Sequence, residues 1–323
     1  MDEMMKYRKS EAKDYAAKRM KGLWGATLTP FTPDYKIDES GFRHNLRHCI
    51  DELQMEGMFL NGLMGEAFNQ TMAERKRIMD ITMEESKDDM VIMPYTSDPS
   101  VENTLELTRY AEAVGAEFAI IINPLFYFGA MTEEGVFQYF KYIADRVNIA
   151  IALFNQVAHG YLMNPRLICR LAEIETIVAV KDIAPAPDIY LARALCPGKF
   201  IISDADTEEN WLINLTVNDQ PALIANPMPF VMQSKKLKLM REYTEAATRG
   251  EIANAWEAYK RLAPIRKALS KVIPAGKKQA TYKYWTQFLG MAGGDGRVRM
   301  PMQELTNQEK REIEAAVKST ELV

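Results

Sequence analysis

Three runs, Phe118-Ala119-Ile120-Ile121-Ile122, Ala150-Ile151-Ala152-Leu153-Phe154-Asn155 and Ile177-Val178-Ala179-Val180-Lys181, decide the reading of this chain. Each is short, nearly continuous in apolar residues and rich in β-branched ones, as strands buried on both faces are. Between them, residues 132–147 and 164–172 carry helix-period patterns. Strand, helix and strand repeated in this order predict a parallel sheet covered by helices.

The alternation extends in both directions. Upstream, residues 25–31 read as a strand stopped by Thr29-Pro30, residues 40–55 as a helix capped by Ser40, and residues 57–61 as a strand. Residues 71–86 follow as a helix, with Thr71 and Glu74 at capping-box spacing, then a strand at 90–96 and a helix at 100–114. Downstream come a helix at 189–195, a strand at 199–203, a helix around 208–214 and a strand at 222–225. Eight strands, each followed by a helical or turn segment, predict a closed (β/α)8 TIM barrel over residues 22–230. No GxGxxG follows an early strand, which weakens an open dinucleotide-binding sheet.

After Pro229 the pattern holds helices only, at 233–249, 251–269 and 277–289, a turn at Gly293-Gly294 and a last helix from Asn307. Residues 231–323 are expected to form a C-terminal helical region acting as scaffold, cap or oligomerisation element. Residues 1–21 are expected to form an exposed, charged N-terminal helix that packs on a neighbour. They lack the apolar core of a signal peptide, so the expected compartment is the cytoplasm.

Of 323 residues, 47% are hydrophobic and 26% charged, the balance of a soluble globular protein with ample core material. No run approaches ~18 uncharged apolar residues, so no membrane span is expected. Forty basic against 44 acidic residues give a net charge of −4 and no basic block, which argues against nucleic acid or an anionic membrane as partner. Cys49, Cys169 and Cys196 are too few and scattered for a disulfide framework or a CxxC metal site. His44 and His48 are read as surface residues of one helix rather than ligands, since no HExxH accompanies them. No metal is expected.

In a barrel of this class the active site lies at the C-terminal ends of the strands. That rule selects Thr27 and Thr29, residues 61–66, Tyr95 and Thr96, residues 123–127, residues 154–159, Lys181 and Asp182, then Ser203, Asp204 and Asp206, and Asn226. Lys181 closes an apolar run. A lysine desolvated there becomes an amine nucleophile able to form a Schiff base; the other reading is a rim lysine paired with an acid. Gly62-Leu63-Met64-Gly65-Glu66 suits a turn whose backbone amides approach a carboxylate, or an ordinary connection from strand to helix.

Together these residues resemble the dihydrodipicolinate synthase/N-acetylneuraminate lyase family from about Gly22 to the end of the chain. Gly25-Ala26-Thr27-Leu28-Thr29-Pro30-Phe31 is similar to the family's opening strand, and Asn61-Gly62-Leu63-Met64-Gly65-Glu66 to its GTTGE turn. Phe154-Asn155 falls on its Tyr-Asn strand end, Val180-Lys181 on its Schiff-base lysine, and Arg297-Val298-Arg299-Met300-Pro301 on its late arginine–proline segment. The resemblance implies that Lys181 forms the imine and that Gly62, Leu63 and Met64 hold a keto-acid carboxylate. It further implies a homo-oligomer, a dimer or tetramer.

The departures concern hydroxyls. The family turn's threonines are Leu63 and Met64 here, its principal relay tyrosine aligns with Phe154, and a second relay tyrosine with Phe126, beside Tyr127. The arginine that commonly holds a substrate carboxylate in the synthase branch falls near His159. General acid–base help is worth ~10²–10⁴-fold, and the candidates to supply it are His159, Tyr127, Tyr95, Asp182 and Asp206. His159 is favoured for its neutral-range titration. Leu63, Met64, Phe126 and Phe154 suit an apolar or aromatic carbonyl compound, as in the hydratase-aldolase branch. Asn155 is expected to position the loop beside Phe154, and Asn155, Asp206 and Asn226 are further expected substrate contacts.

The expected activity is that of a class I lyase, of aldolase or hydratase-aldolase type, acting through Lys181 on a 2-oxo acid such as pyruvate or a related carbonyl compound. No cofactor is required, because the imine is itself the electron sink. The alternatives are a sugar-acid dehydratase using the same lysine and a non-catalytic carbonyl-binding homologue. Leu63, Phe126 and Phe154 argue against a lysine-pathway synthase.

Overall fold

The computed structural model describes residues 5–125, 129–156, 161–196, 198, 200–204, 208–218, 220–224 and 227–323. Its strands are β1 (Gly22–Ala26), β2 (Gly57–Leu60), β3 (Val91–Pro94), β4 (Phe118–Ile122), β5 (Ala150–Asn155), β6 (Ile177–Asp182), β7 (Ile201–Asp204) and β8 (Ala222–Ile224). The helices are α1 (Ala12–Arg19), α2 (Glu39–Arg47), α3 (Met72–Ser86), α4 (Val101–Ala113), α5 (Glu133–Ala144), α6 (Pro165–Leu171) and α7 (Ala186–Leu195). They continue as α8 (Glu208–Thr216), α9 (Met228–Val231), α10 (Leu239–Thr248), α11 (Ile252–Lys271), α12 (Lys278–Gln287) and α13 (Asn307–Lys318).

The chain divides into two compact units. The first comprises residues 1–21, 91–206 and 220–224. Its strands β4, β5, β6 and β7 pair in parallel and in sequence order, and Tyr95, just past β3, bridges Ile120 in the same sense. Every residue of β4, β5 and β6 is buried. That is why these strands read as unbroken apolar runs rather than alternating ones: helices cover one face and the sheet's own interior the other. The helices start where short polar side chains cap them. Ser100 accepts from the Asn103 amide, Thr132 from Gly135, and Asn164 from Leu167 ahead of Pro165.

The N-terminal segment corrects one expectation. Rather than standing exposed, α1 buries Ala12 and Ala16 within this unit, and Met20, just after it, is also buried. Tyr7 is buried too; its hydroxyl donates to the Glu117 carbonyl and accepts from the Ala150 amide, both at 2.6 Å. Arg19 and Tyr15 bond to the Glu117 carboxylate at 2.7 Å. Burial alone would push the Glu117 carboxyl up, but these bonds hold it below its ordinary range. The segment therefore closes the strands at their N-terminal ends, since Glu117 precedes β4 and Ala150 opens β5.

A second correction concerns cysteine. Cys169 of α6 and Cys196 at the end of α7 are bonded, their Cα atoms 5.0 Å apart. Spacing could not reveal this pair, because adjacent packing of α6 and α7 brings together residues 27 positions apart. Cys49 stays free and buried, its thiol pushed up to about 12 by desolvation.

The second unit comprises residues 22–90, 207–219 and 225–323. Here β1 and β2 pair in parallel, Gly25 beside Met58 and Ala26 beside Phe59. Helix α2 is capped by Asp38, which accepts from the Gly41 amide at 2.9 Å, and not by Ser40. It runs into a π-helical turn over His48–Glu52. That turn carries His48 inward, so only His44 lies on the surface as expected; desolvation lowers the affinity of His48 for a proton. The capping box of α3 is present, Thr71 and Glu74 exchanging bonds of 3.2 and 2.9 Å.

Helix α10 begins at Leu239 rather than at 233, since Ser234 and Leu237 close a backbone turn just before it. Trp211 and Trp285 anchor the helical region; their indole N–H groups donate to Thr244 Oγ1 at 2.7 Å and to the Val231 carbonyl at 2.8 Å. Among the described residues, no helix is long and apolar enough to cross a membrane.

Candidate active site

Lys181 lies one residue from the end of β6 and is 1% exposed. Its register neighbours are Phe154 on β5 and Ser203 on β7. Side chains alternate along a strand, so these three share one face. Lys181 Nζ sits over the Phe154 ring, 5.4 Å from its centroid. A primary amine is thus held among apolar strands, beside the ring that occupies the expected tyrosine position.

The adjacent register row, Asn155 and Asp182, points the other way. Asn155 Nδ2 donates to Asp182 Oδ1 at 2.8 Å and to the Met163 carbonyl at 3.0 Å, while its Oδ1 accepts from the Met163 amide at 2.8 Å. The Ala184 amide adds a bond to Asp182 Oδ1 at 3.1 Å. Asp182 Oδ2 is buried with no hydrogen-bond partner among the described residues. Burial pushes this carboxyl up to about 6, against the pull of the Asn155 and Ala184 bonds. Asn155 and Asp182 therefore brace the chain after β5 and β6. Neither shares the face of Lys181, as a substrate contact or an acid–base group would.

The 61–66 turn belongs to the second unit. Asn61 and Glu66 take left-handed backbone conformations, φ 55° and 64°. The glycines between them serve close packing instead. A Cβ on Gly62 would lie 2.6 Å from the Phe59 ring, and one on Gly65 would lie 2.9 Å from Asn61 Cα. Thr27 Oγ1 accepts from the Asn61 amide at 2.7 Å, while Thr29 and Gln70 each donate to the Gly65 carbonyl at 2.8 Å. The amides of Gly65, Glu66 and Ala67 bond back into the turn. Those of Leu63 and Met64 donate to no acceptor among the described residues. Two adjacent, uncommitted amides are what an anion-binding turn requires.

Glu66 and Lys283 were not recognised as a pair from the sequence. Lys283, on α12, forms a short ion pair with Glu66, both side chains within 1% of full burial. Burial lowers the lysine to about 8, against the upward pull of Glu66. On a helix whose other charged residue is Lys278, a lysine reads as solvated, and nothing in the local pattern sets this one apart. The remaining expected site residues, Phe126, Tyr127, His159, Asp206 and Asn226, lie outside the described residues. Among those described, no cluster of His, Cys, Asp and Glu is placed to hold a metal ion.

Comparison with solved structures identifies the architecture: the chain superposes on the dihydrodipicolinate synthase of Aquifex aeolicus with a TM-score of 0.82 at 20% identity, over 94% of this chain and 99% of that one. The fold is accordingly a (β/α)8 barrel with a C-terminal helical extension. Residues 19–320 match the Dihydrodipicolinate synthetase family, and the protein belongs to it. It is 29% identical to the 4-hydroxy-tetrahydrodipicolinate synthase of Moorella thermoacetica, over 93% of this chain and 99% of that protein. It is also 26% identical to the N-acetylneuraminate lyase of Clostridium perfringens, over 90% and 96%. The protein is a lyase, with the Schiff-base chemistry on a pyruvate-type substrate that the family carries.

Proposed function

We propose that Lys181 is the imine-forming residue. The observation that carries this reading is its place: the buried end of β6, beside Phe154. The neutral amine attacks the C2 carbonyl carbon of a 2-oxo acid, and loss of water gives the iminium. In a 4-hydroxy-2-oxo acid, loss of the C4 hydroxyl proton to a base lets the C3–C4 bond break, its electron pair passing into the iminium, which leaves an enamine on Lys181 and releases an aldehyde. Protonation at C3 and addition of water return the free lysine and the shortened 2-oxo acid. Carbon–carbon bond formation is the same sequence reversed.

The Leu63 and Met64 amides are assigned to the substrate carboxylate, on the strength of their lack of other acceptors. Proton transfer falls to His159 or Tyr127, on sequence position alone. Leu63, Met64 and Phe154 replace hydroxyl-bearing family residues with apolar ones, which favours an apolar or aromatic aldehyde over a polyhydroxy one as the second substrate. Assembly as a homo-oligomer is part of the same proposal.

The test is borohydride trapping followed by peptide mapping, with pyruvate, an aromatic 2-oxo acid and benzaldehyde, in the parent and in Lys181→Ala. An adduct on Lys181 in the parent that the variant lacks is the expected result. Absence of an adduct with every carbonyl compound would end the imine reading.

A further inference from the structure

The buried ion pair of Glu66 and Lys283 has no role in the chemistry just described, and it ties the end of the 61–66 turn to the C-terminal region. Glu66 Oε1 meets Lys283 Nζ, while Glu66 Oε2 accepts from the Arg299 amide at 3.1 Å. Lys283 Nζ donates further to the Arg297 carbonyl at 2.8 Å and lies 4.3 Å from the Phe31 ring centroid. The Arg299 guanidinium covers the same ring at 4.6 Å, bonds to the Asn69 carbonyl at 2.9 Å and pairs with Glu74 at 2.6 Å. A helix and a loop of the C-terminal region thus grip both ends of the segment from Glu66 to Glu74.

Stability alone does not account for this arrangement. Removing two charges from water is costly, and apolar side chains of similar volume usually serve a core as well or better. What the pair does supply is geometry. Glu66 sits at φ 64°, a backbone conformation unfavourable for a residue with a Cβ. A carboxylate held from both oxygens keeps it there, and Glu66 closes the turn through its own amide on the Leu63 carbonyl at 3.3 Å. The peptide planes that aim the Leu63 and Met64 amides are therefore set from one side by Thr29 and Gln70 and from the other by Lys283.

We propose that Lys283 is a positioning residue for the carboxylate of the 2-oxo acid, holding the turn through Glu66 in the conformation that presents the Leu63 and Met64 amides. This rests on the carboxylate reading of the turn given above. It makes the C-terminal helices part of the substrate-binding apparatus rather than scaffold alone.

The experiment compares the parent chain, Lys283→Met and the double variant K283M/E66L. For each, the half-saturating concentration for borohydride-trapped adduct on Lys181 is measured with pyruvate and with butanal, which has no carboxylate, alongside the thermal midpoint. The double variant leaves no buried charge unpaired, so it is expected to fold even if Lys283→Met does not, with a thermal midpoint lowered by the partners that the Arg299 amide and the Arg297 carbonyl lose. Loss of well-aimed amide bonds to a charged group is expected to raise the pyruvate value about tenfold to hundredfold in the double variant. The butanal value stays unchanged.

A double variant that folds and takes up pyruvate as the parent does would overturn the proposal, as would equal losses for both compounds. If the parent traps butanal but not pyruvate, the carboxylate reading fails and this inference with it. If the parent traps neither, it is the Schiff-base reading that has failed.

Discussion

Asp182→Asn isolates the cost of keeping one carboxyl, next to Lys181 in the sequence, out of water. Asparagine keeps an oxygen acceptor for the Asn155 and Ala184 amides and places its NH2 where Oδ2 now lacks a hydrogen-bond partner. The native carboxyl titrates at about 6 against an ordinary 3.8. At ~1.4 kcal/mol for each tenfold in proton affinity, the ionised group costs the fold about 3 kcal/mol. The folded chain therefore binds the proton more tightly than the unfolded one, and stability falls as pH rises through the interval.

The cost is complete by pH 8, about half present at pH 5, and absent only below the ordinary carboxylate range. The asparagine variant carries no such dependence. Its own unpaired NH2 costs ~1 kcal/mol at every pH. Relative to the parent, the variant should thus gain about 1.4 kcal/mol between pH 5 and pH 8. Urea unfolding of both proteins at fixed concentration and at four pH values measures this, since all other titrations cancel in the difference. A difference that is flat in pH, or that moves the other way, would refute the placement of Asp182 in a dry environment.

Two further outcomes test the corrections made by the structure. Tyr7→Phe leaves the Glu117 carbonyl and the Ala150 amide without the buried hydroxyl that joins them, and should cost about 1–3 kcal/mol in urea unfolding; a loss under about 0.5 kcal/mol would mean that the segment before α1 does not dock as described. The chain has three cysteines, with Cys169 and Cys196 bonded, so thiol titration in denaturant should count one thiol before reduction and three after. Three thiols without reductant would contradict the pairing.

How far the chain could be read depended on the range of each interaction. The strands β4, β5 and β6 were legible because a strand buried on both faces must be apolar at every position, a property of consecutive residues. The helix starts at Thr71, Ser100, Thr132 and Asn164 were legible for the same reason, since a cap joins residues three apart. Strand polarity then placed Lys181 at the strand end where barrel sites form.

Asp182 was not legible as a brace. Its neighbour across the sheet, Asn155, is set by register, and register decides which face a strand residue takes. His48 was misplaced because a π-helical turn rotates the face that α-helical spacing would assign.

By itself, then, the sequence determined the order of strands and helices, the caps that start them, the position of Lys181 and the turn from Asn61 to Glu66. These depend on periodicity and on contacts a few residues long. Tertiary structure alone decided that Cys169 meets Cys196, that α1 closes the strands at Glu117, and that Lys283 lies buried against Glu66 across 217 positions. The physical reason lies in solvation. A lysine's charge is stable in water wherever the chain is unfolded or exposed, so only the packing around it determines whether it stays a solvated surface group or becomes a buried cation aimed at one carboxylate.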